Sequence, residues 1–98
     1  MRIVSEKALR EIAAKHSDAG AALAIWRTIV RRADWKSSAD VKATFSNSDL
    51  VAGRTVFNIA ANRYWLIAYI AFRGRKVFVK AILTHREYDQ GAWKNDRT

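Results

Sequence analysis

Three stretches in the second half of the chain alternate apolar and polar residues, and this pattern constrains the fold more than any other feature. They span residues 55–59, 63–72 and 76–84. A period of two residues is typical of β-strands with one buried face. The short connections at residues 60–62 and 73–75 favour antiparallel neighbours. The sequence therefore predicts an antiparallel β-meander.

The alternation also gives each predicted strand two faces. On the middle stretch, one face carries Leu66, Ala68, Ile70 and Phe72, and the other carries Arg63, Trp65, Ile67 and Tyr69. On the last stretch, Val77, Val79, Ala81 and Leu83 are predicted to oppose Phe78, Lys80 and Ile82. The apolar faces are expected to pack on helices, which leaves the faces with Lys80 and Arg63 partly open.

The first half of the chain has the three- and four-residue spacing of amphipathic helices. Residues 1–4 are predicted to form a short strand, and Ser5 to cap a helix that runs to about residue 16. A second helix is predicted from residue 17 or 18 to Asp34, and a short third one from residue 37 or 38 to about residue 45. Residues 47–53 are rich in turn formers and are predicted to be a loop.

These elements predict an α+β fold in which an N-terminal strand and a helical hairpin pack on an antiparallel β-meander. The chain of 98 residues is long enough for one domain. We assign this domain to residues 1–91 and expect residues 92–98 to form a loosely ordered C-terminal tail. Trp26 and Trp35 are expected to be core residues.

The charge of the chain favours a polyanionic partner. It carries 18 Lys and Arg residues against 9 Asp and Glu residues, for a formal net charge of +9. No cysteine is present, and the two histidines are far apart in sequence, which argues against disulfides and a zinc site. The sequence has no signal-peptide pattern and no apolar run long enough to span a membrane, so we expect a cytoplasmic protein.

Residues 80–89 concentrate the side chains that can carry chemistry. Metal-independent RNA cleavage uses the 2′-hydroxyl as nucleophile, and it needs a base, an acid and cations around the phosphate. His85 is the candidate for proton transfer, because a histidine side chain ionises near neutral pH. Tyr88 is the candidate to contact the same phosphate, and Lys80 and Arg63 are the candidates to stabilise its charge.

Three further residues are candidates for RNA binding. Arg86 can grip a flanking phosphate, Asn58 can hydrogen-bond a base or a sugar, and Trp65 can stack on a base. Simpler interpretations stand beside these. A histidine at a strand end is usually an exposed polar residue, and a lysine on a half-exposed strand is often only a solubilising charge. The cluster of Arg27, Arg31 and Arg32 is either a solvated helix face or a surface for RNA or an acidic protein.

The residues resemble those of the HigB family of the RelE superfamily of bacterial toxins, over residues 1 to about 90. The matching residues are Arg2-Ile3-Val4, Trp26, the segments 40–45 and 56–59, Asn62, and Thr84-His85-Arg86-Glu87-Tyr88-Asp89, the most specific block. The resemblance implies a RelE-like fold and a ribosome-associated mRNA endonuclease of the bacterial cytoplasm. It also implies neutralisation by a helix-turn-helix antitoxin of the HigA type, and no cofactor.

The chain departs from the family pattern at two places. Ala60 and Ala61 stand before Asn62 where the family usually has glycine, and Trp65 stands where the family usually has arginine. Arg63, two residues earlier, is the cation expected to substitute.

Other functions remain open on the sequence alone. They are a RelE-like protein without RNase activity, such as the related gyrase-poisoning toxins, a plain nucleic-acid-binding module, and an inactive relative that titrates an antitoxin. All three share the charge and the fold with an RNase. Only the chemistry, cleavage of RNA or its absence, separates them from an RNase.

Overall fold

A computed structural model describes residues 1–4, 6–60 and 63–91. The first half contains strand β1 (Arg2–Val4), helix α1 (Glu6–Lys15), a short 3-10 turn (Ser17–Ala19), helix α2 (Gly20–Arg32) and helix α3 (Ser38–Thr44). The second half contains β2 (Asp49–Val51), β3 (Arg54–Ile59), β4 (Tyr64–Ala71), β5 (Lys76–Thr84) and helix α4 (His85–Gln90). The predicted cap Ser5, the turn residues Ala61 and Asn62, and the predicted tail lie outside the described residues.

The strands form one five-stranded sheet in the order β1-β5-β4-β3-β2. Strands β3, β4 and β5 pair antiparallel with their neighbours, which confirms the predicted meander and the α+β class. Strand β1 joins the edge of the sheet in parallel to β5, with Arg2 opposite Lys76 and Val4 opposite Phe78. The sheet is therefore mixed, and the N-terminal strand is part of it.

The prediction of a loop over residues 47–53 is wrong in part. Asp49 pairs with Val56 and Val51 pairs with Arg54, so β2 and β3 form a hairpin. Its turn consists of Ala52 and Gly53, both with positive φ angles of 52° and 78°. Two left-handed residues make a turn whose twist matches that of antiparallel strands. The strand was missed because it is only three residues long and follows a run of turn-forming side chains.

Helices α1, α2 and α3 pack on one face of the sheet and bury the main core with it. Trp26 and Phe57 are both 1% exposed, and their rings meet edge to face with centroids 5.4 Å apart. Trp35 is also buried and stacks on Phe57, so the prediction that both tryptophans are core residues is confirmed. Leu66, Ala68 and Ile70 supply the matching face of β4, as predicted.

The predicted faces of the last strand are wrong beyond Val79. Ala68 pairs with Val79, but its neighbour Ile67 pairs with Ala81, so Lys80 is an extra residue in β5. An extra residue of this kind is a β-bulge, and it reverses the alternation of side chains that follow it. Val77 and Val79 therefore lie in the main core, and so does Ile82, whereas Ala81 and Leu83 face the other side of the sheet.

A second, smaller group of apolar side chains covers that other side of the sheet. We call it the outer cluster: it consists of buried Val56 and Ile67 with half-buried Val51, Trp65, Ala81, Leu83 and Tyr88 around them. Tyr88 belongs to α4, so this helix lies on the face opposite the main core. The chain therefore leaves β5 on the outer face of the sheet, where α4 begins.

Candidate active site

Helix α4 places His85 at its first position, directly after β5. Thr84 caps the helix: the Glu87 backbone N–H donates to the Thr84 hydroxyl at 3.3 Å, and the Thr84 backbone N–H donates to the Glu87 carboxylate at 3.0 Å. Gly91 ends the helix in the left-handed conformation, with φ 71°. This helix was not predicted. The sequence signal was present as a Thr-x-x-Glu capping box followed by a glycine stop.

Trp65 packs against both rings of the predicted catalytic block. Its ring centroid lies 5.2 Å from that of His85, edge to face, and 5.1 Å from that of Tyr88. His85 and Tyr88 are three residues apart on α4 and so share one side of the helix. His85 is exposed, whereas Trp65 and Tyr88 are half-buried. The indole thus forms a platform that holds the imidazole at the surface.

The environment of Tyr88 keeps its phenol protonated. Burial in the outer cluster raises its pKa above the usual 10.0, and the negative charges of Asp49 and Asp89 raise it further. A phenolate at this position would be both desolvated and repelled by carboxylates. The Tyr88 hydroxyl therefore stays protonated and can donate a hydrogen bond. Asp49, from the unpredicted strand β2, is a part of this environment that the sequence did not indicate.

Lys80 and Arg86 are the candidate cations nearest to His85 in the sequence. Lys80 is half-buried at the bulge, next to Ala81 of the outer cluster, and Arg86 is exposed in the first turn of α4. Neither side chain has a carboxylate within ion-pair distance among residues 1–4, 6–60 and 63–91. Both can therefore accept an anion from solvent.

Arg63 does not lie with the other candidate residues. It lies in the turn before β4, and its guanidinium donates to the Asp18 carboxylate at 3.2 Å. The Tyr64 hydroxyl donates to the same carboxylate at 2.9 Å, and these two donors lower the pKa of Asp18, the tyrosine more strongly. The predicted strand face shared with Trp65 is not formed at Arg63, because the strand begins only at Tyr64. The ion pair with Asp18 directs Arg63 toward the turn between α1 and α2.

Asn58 and Trp65 are direct partners on β3 and β4. The Asn58 side-chain oxygen and the Trp65 indole nitrogen are buried and have no hydrogen-bond partner in the described part of the chain. The Asn58 amide makes one long hydrogen bond, 3.5 Å, to the Asn47 carbonyl. Unsatisfied buried polar atoms are uncommon in proteins and mark a place where a ligand can supply the missing bonds.

The family model for the HigB toxin, the RelE-like toxic component of a toxin–antitoxin system, matches residues 19–91. The chain belongs to the HigB toxin family. This confirms the resemblance seen in the sequence. The matched segment runs from the start of α2 to the glycine after α4, so it contains every candidate site residue from Asn58 to Tyr88.

Named members of the family are similar to the chain over nearly its whole length. The mRNA interferase toxin HigB of Escherichia coli strain K12 is 26% identical over 92 residues, which cover 91% of this chain and 88% of the relative. The mRNA interferase HigB of Escherichia coli O6:H1 strain CFT073 is 30% identical over 93 residues, which cover 92% and 90%.

In this HigB family member, the structure brings His85, Tyr88, Trp65 and Asn58 together on the outer face, and it leaves Arg63 outside that group. Within the described residues, no cluster of three or more His, Cys, Asp or Glu side chains could hold a metal ion. The helices of that same part of the chain are all too short or too polar to cross a membrane.

Proposed function

We propose that this chain is a toxin that acts as an mRNA interferase, with His85 as its proton-transfer group. Its membership of the HigB family and its similarity to proteins named mRNA interferase support the proposal. The observation that carries it is the exposed His85 ring, which Trp65 holds on the same helix side as Tyr88. A side chain in this position can reach a phosphodiester from solvent.

The proposed reaction is an internal transesterification that uses no metal. The 2′-oxygen forms a bond to phosphorus while the bond from phosphorus to the 5′-oxygen breaks, which leaves a 2′,3′-cyclic phosphate and a free 5′-hydroxyl. His85 accepts the proton of the 2′-hydroxyl, and Tyr88 donates a proton to the departing 5′-oxygen. The raised pKa of Tyr88 means that its hydroxyl enters this step in the protonated form.

Charge stabilisation is assigned to Lys80 and Arg86. Arg86 follows His85 directly and Lys80 lies on the strand that leads to it. Neither has a carboxylate partner among the described residues, and we assign both to the phosphorane oxygens. Arg63 joins them only after it leaves Asp18. That exchange is easy, because both side chains of the ion pair are largely exposed.

RNA positioning is assigned to Asn58 and Trp65. Their unpartnered buried atoms are one acceptor and one donor on adjacent strands, next to the platform of His85. A base or sugar that enters beside Trp65 can satisfy both atoms after a small shift of the covering side chains. This contact would position the 2′-hydroxyl near His85.

The proposed substrate is mRNA on the ribosome, in the bacterial cytoplasm. The proposed partner is a helix-turn-helix antitoxin of the HigA type, because the family comprises toxic components of toxin–antitoxin systems. No cofactor or membrane takes part in the proposed mechanism.

Primer extension on an mRNA in a bacterial translation extract tests the proposal. The wild-type protein is expected to produce cuts within the reading frame that disappear with His85→Ala and when ribosomes are omitted. The matched control is His16→Gln, which replaces the other histidine. That residue packs on Tyr64 at 4.8 Å, on the side of the sheet away from the outer cluster, so the control is expected to cut at the wild-type sites.

Three outcomes separate the alternatives. Equal cutting by wild type and His85→Ala excludes His85 as the proton-transfer group. Cuts by the wild type without ribosomes exclude ribosome dependence but keep the endonuclease. The absence of cuts from a folded wild-type protein favours an RNA- or antitoxin-binding protein without cleavage activity, with Trp65 in place of the family's usual arginine as the physical reason.

A further inference from the structure

A groove lined by arginines lies at the end of the sheet farthest from α4. Its volume is about 700 Å³, and Arg2 of β1, Arg31 and Arg32 of α2, and Arg75 of the turn before β5 contribute to its walls. We call it the basic groove. The fold creates it by bringing the C-terminal end of α2 beside the N-terminal edge strand, so these charges are scattered in the sequence but adjacent in space.

The acidic side chains of the basic groove are already engaged. Glu6 is paired with Arg27, and Asp34 is paired with Arg75. Arg2, Arg31 and Arg32 are exposed and have no carboxylate partner within the described ranges. The groove therefore presents three guanidinium groups whose charge is not neutralised locally, which is the property of an anion-binding surface.

The lining of the groove indicates what kind of anion fits. Ile25, Leu50 and Tyr69, the large apolar side chains that are exposed in the described structure, all lie elsewhere, and Met1 and Ile3 of the groove are buried. The centre of a protein–protein interface is usually apolar, and the described lining of the groove offers no exposed apolar side chain for such a centre. Among the described residues no aromatic ring lines the groove either, so they offer unpaired bases no surface on which to stack. The remaining match is the sugar-phosphate backbone of paired RNA, which guanidinium groups bind without reading sequence.

The basic groove is too far from His85 to hold the phosphate that is cut. Arg2 pairs with Lys76 at the first position of β5, and His85 follows the last position of the same strand. A strand of this length spans roughly 25–30 Å. The two sites therefore lie at opposite ends of the sheet and contact different parts of any RNA that reaches both.

We propose that the basic groove binds the backbone of double-stranded RNA and anchors the toxin on structured RNA, independently of cleavage. Arg31 and Arg32 bind phosphates from the C-terminal end of α2, and Arg2 binds a phosphate from β1. This function goes beyond the proposed RNA cleavage and does not depend on it.

Fluorescence anisotropy with a labelled RNA stem-loop tests the proposal in a His85→Ala background, in which the RNA stays intact. Affinity is measured at several salt concentrations for Arg31→Gln/Arg32→Gln. The matched control is Lys7→Gln/Arg10→Gln, which removes the same charge from exposed positions on α1. The groove variant is expected to bind at least about tenfold more weakly at low salt. The slope of log K against log salt should fall by roughly 1.5–2, because about two phosphate contacts are lost. The control should keep the parent's slope.

Equal losses in the two double variants would show that only net charge matters and would overturn the proposal. Unchanged RNA binding by the groove variant would overturn the proposal as well. If the groove variant kept its RNA affinity but lost affinity for an acidic protein, the groove would be a protein-binding surface. Arg2→Gln provides a second test outside α2 if the double variant unfolds. Because no cleavage is measured, the anchor and the proposed RNase activity can fail separately.

Discussion

Trp65 is the residue on which the geometry of the candidate site depends most directly. It contacts His85 and Tyr88 at once, and it is held in turn by the outer cluster. Aromatic contacts of this kind contribute about 0.5–1.5 kcal/mol beyond the apolar area they bury. At the position where the family usually has a cation, this chain thus has a ring that positions two others. In the proposed mechanism, the positive charge at the phosphate comes from Lys80, Arg86 or a released Arg63.

Replacing Trp65 tests whether ring packing is its role. Trp65→Phe retains an aromatic face, so mRNA cleavage is expected to stay within about threefold of wild type. Trp65→Ala removes the platform, and the misplaced imidazole is expected to lower the cleavage rate roughly 10–100-fold. Single-turnover cleavage of the same mRNA by the two variants makes the comparison. Comparable activity of Phe and Ala variants would contradict a positioning role.

At the scale of elements, α4 is a short helix that carries two candidate catalytic residues, His85 and Tyr88. It is six residues long and contains no fully buried side chain. A helix this short is not stable by itself. It is held by the capping box at Thr84, by the left-handed Gly91 and by the insertion of Tyr88 into the outer cluster. The position of His85 therefore depends on a local cap more than on the main core.

Thr84→Ala is expected to loosen α4 without unfolding the rest of the protein. The lost cap costs about 1 kcal/mol, and that cost falls on the helix whose end it capped. Hydrogen exchange should show faster exchange of the amides in α4 and unchanged protection in β4. Thr84→Ser keeps the hydroxyl and is the control. Identical exchange in the Ala and Ser variants would show that Tyr88 alone holds the helix.

At the scale of the whole molecule, the sheet separates two apolar clusters with different tasks. The main core joins α1, α2, α3 and the strands around Trp26 and Phe57, whereas the outer cluster supports the candidate site. Damage to the main core should therefore lower global stability. Damage to the outer cluster should first disturb α4.

Phe57→Ala tests this division. Phe57 contacts the rings of Trp26, Trp35 and Phe45, so its truncation is expected to cost about 3–5 kcal/mol of unfolding free energy. That is a large part of the stability of an average domain. Leu83→Ala, a half-buried position of the outer cluster, is the comparison and should cost less. Urea denaturation followed by circular dichroism measures both, and equal losses would argue against two separate clusters.

Most of the fold could be predicted from periodicity, because long strands and helices repeat their pattern often enough to be recognised. Strand β2 and helix α4 are too short to show a period, so only their turn and cap residues indicate them in the sequence. The bulge at Lys80 is invisible to an alternation rule, since both faces of β5 are apolar. For the site, His85 and Tyr88 are close together in the sequence, whereas the packing of Trp65 on both rings is a long-range contact that the sequence did not indicate. The capture of Arg63 by Asp18 is a long-range contact that no local pattern encodes.

The bulge at Lys80 makes the number of residues in β5 as important as their identity. If the strand continued without the bulge, Lys80 would pair with Ile67. Ala81, Ile82 and Leu83 would then exchange faces, and the chain would leave the sheet toward the main core. Tyr88 would then lose its place beside Trp65, although every side chain of the site would still be present in the same order. Deleting Lys80 would remove the bulge and keep the present faces, whereas one residue inserted after it would turn the candidate site to the opposite side of the sheet.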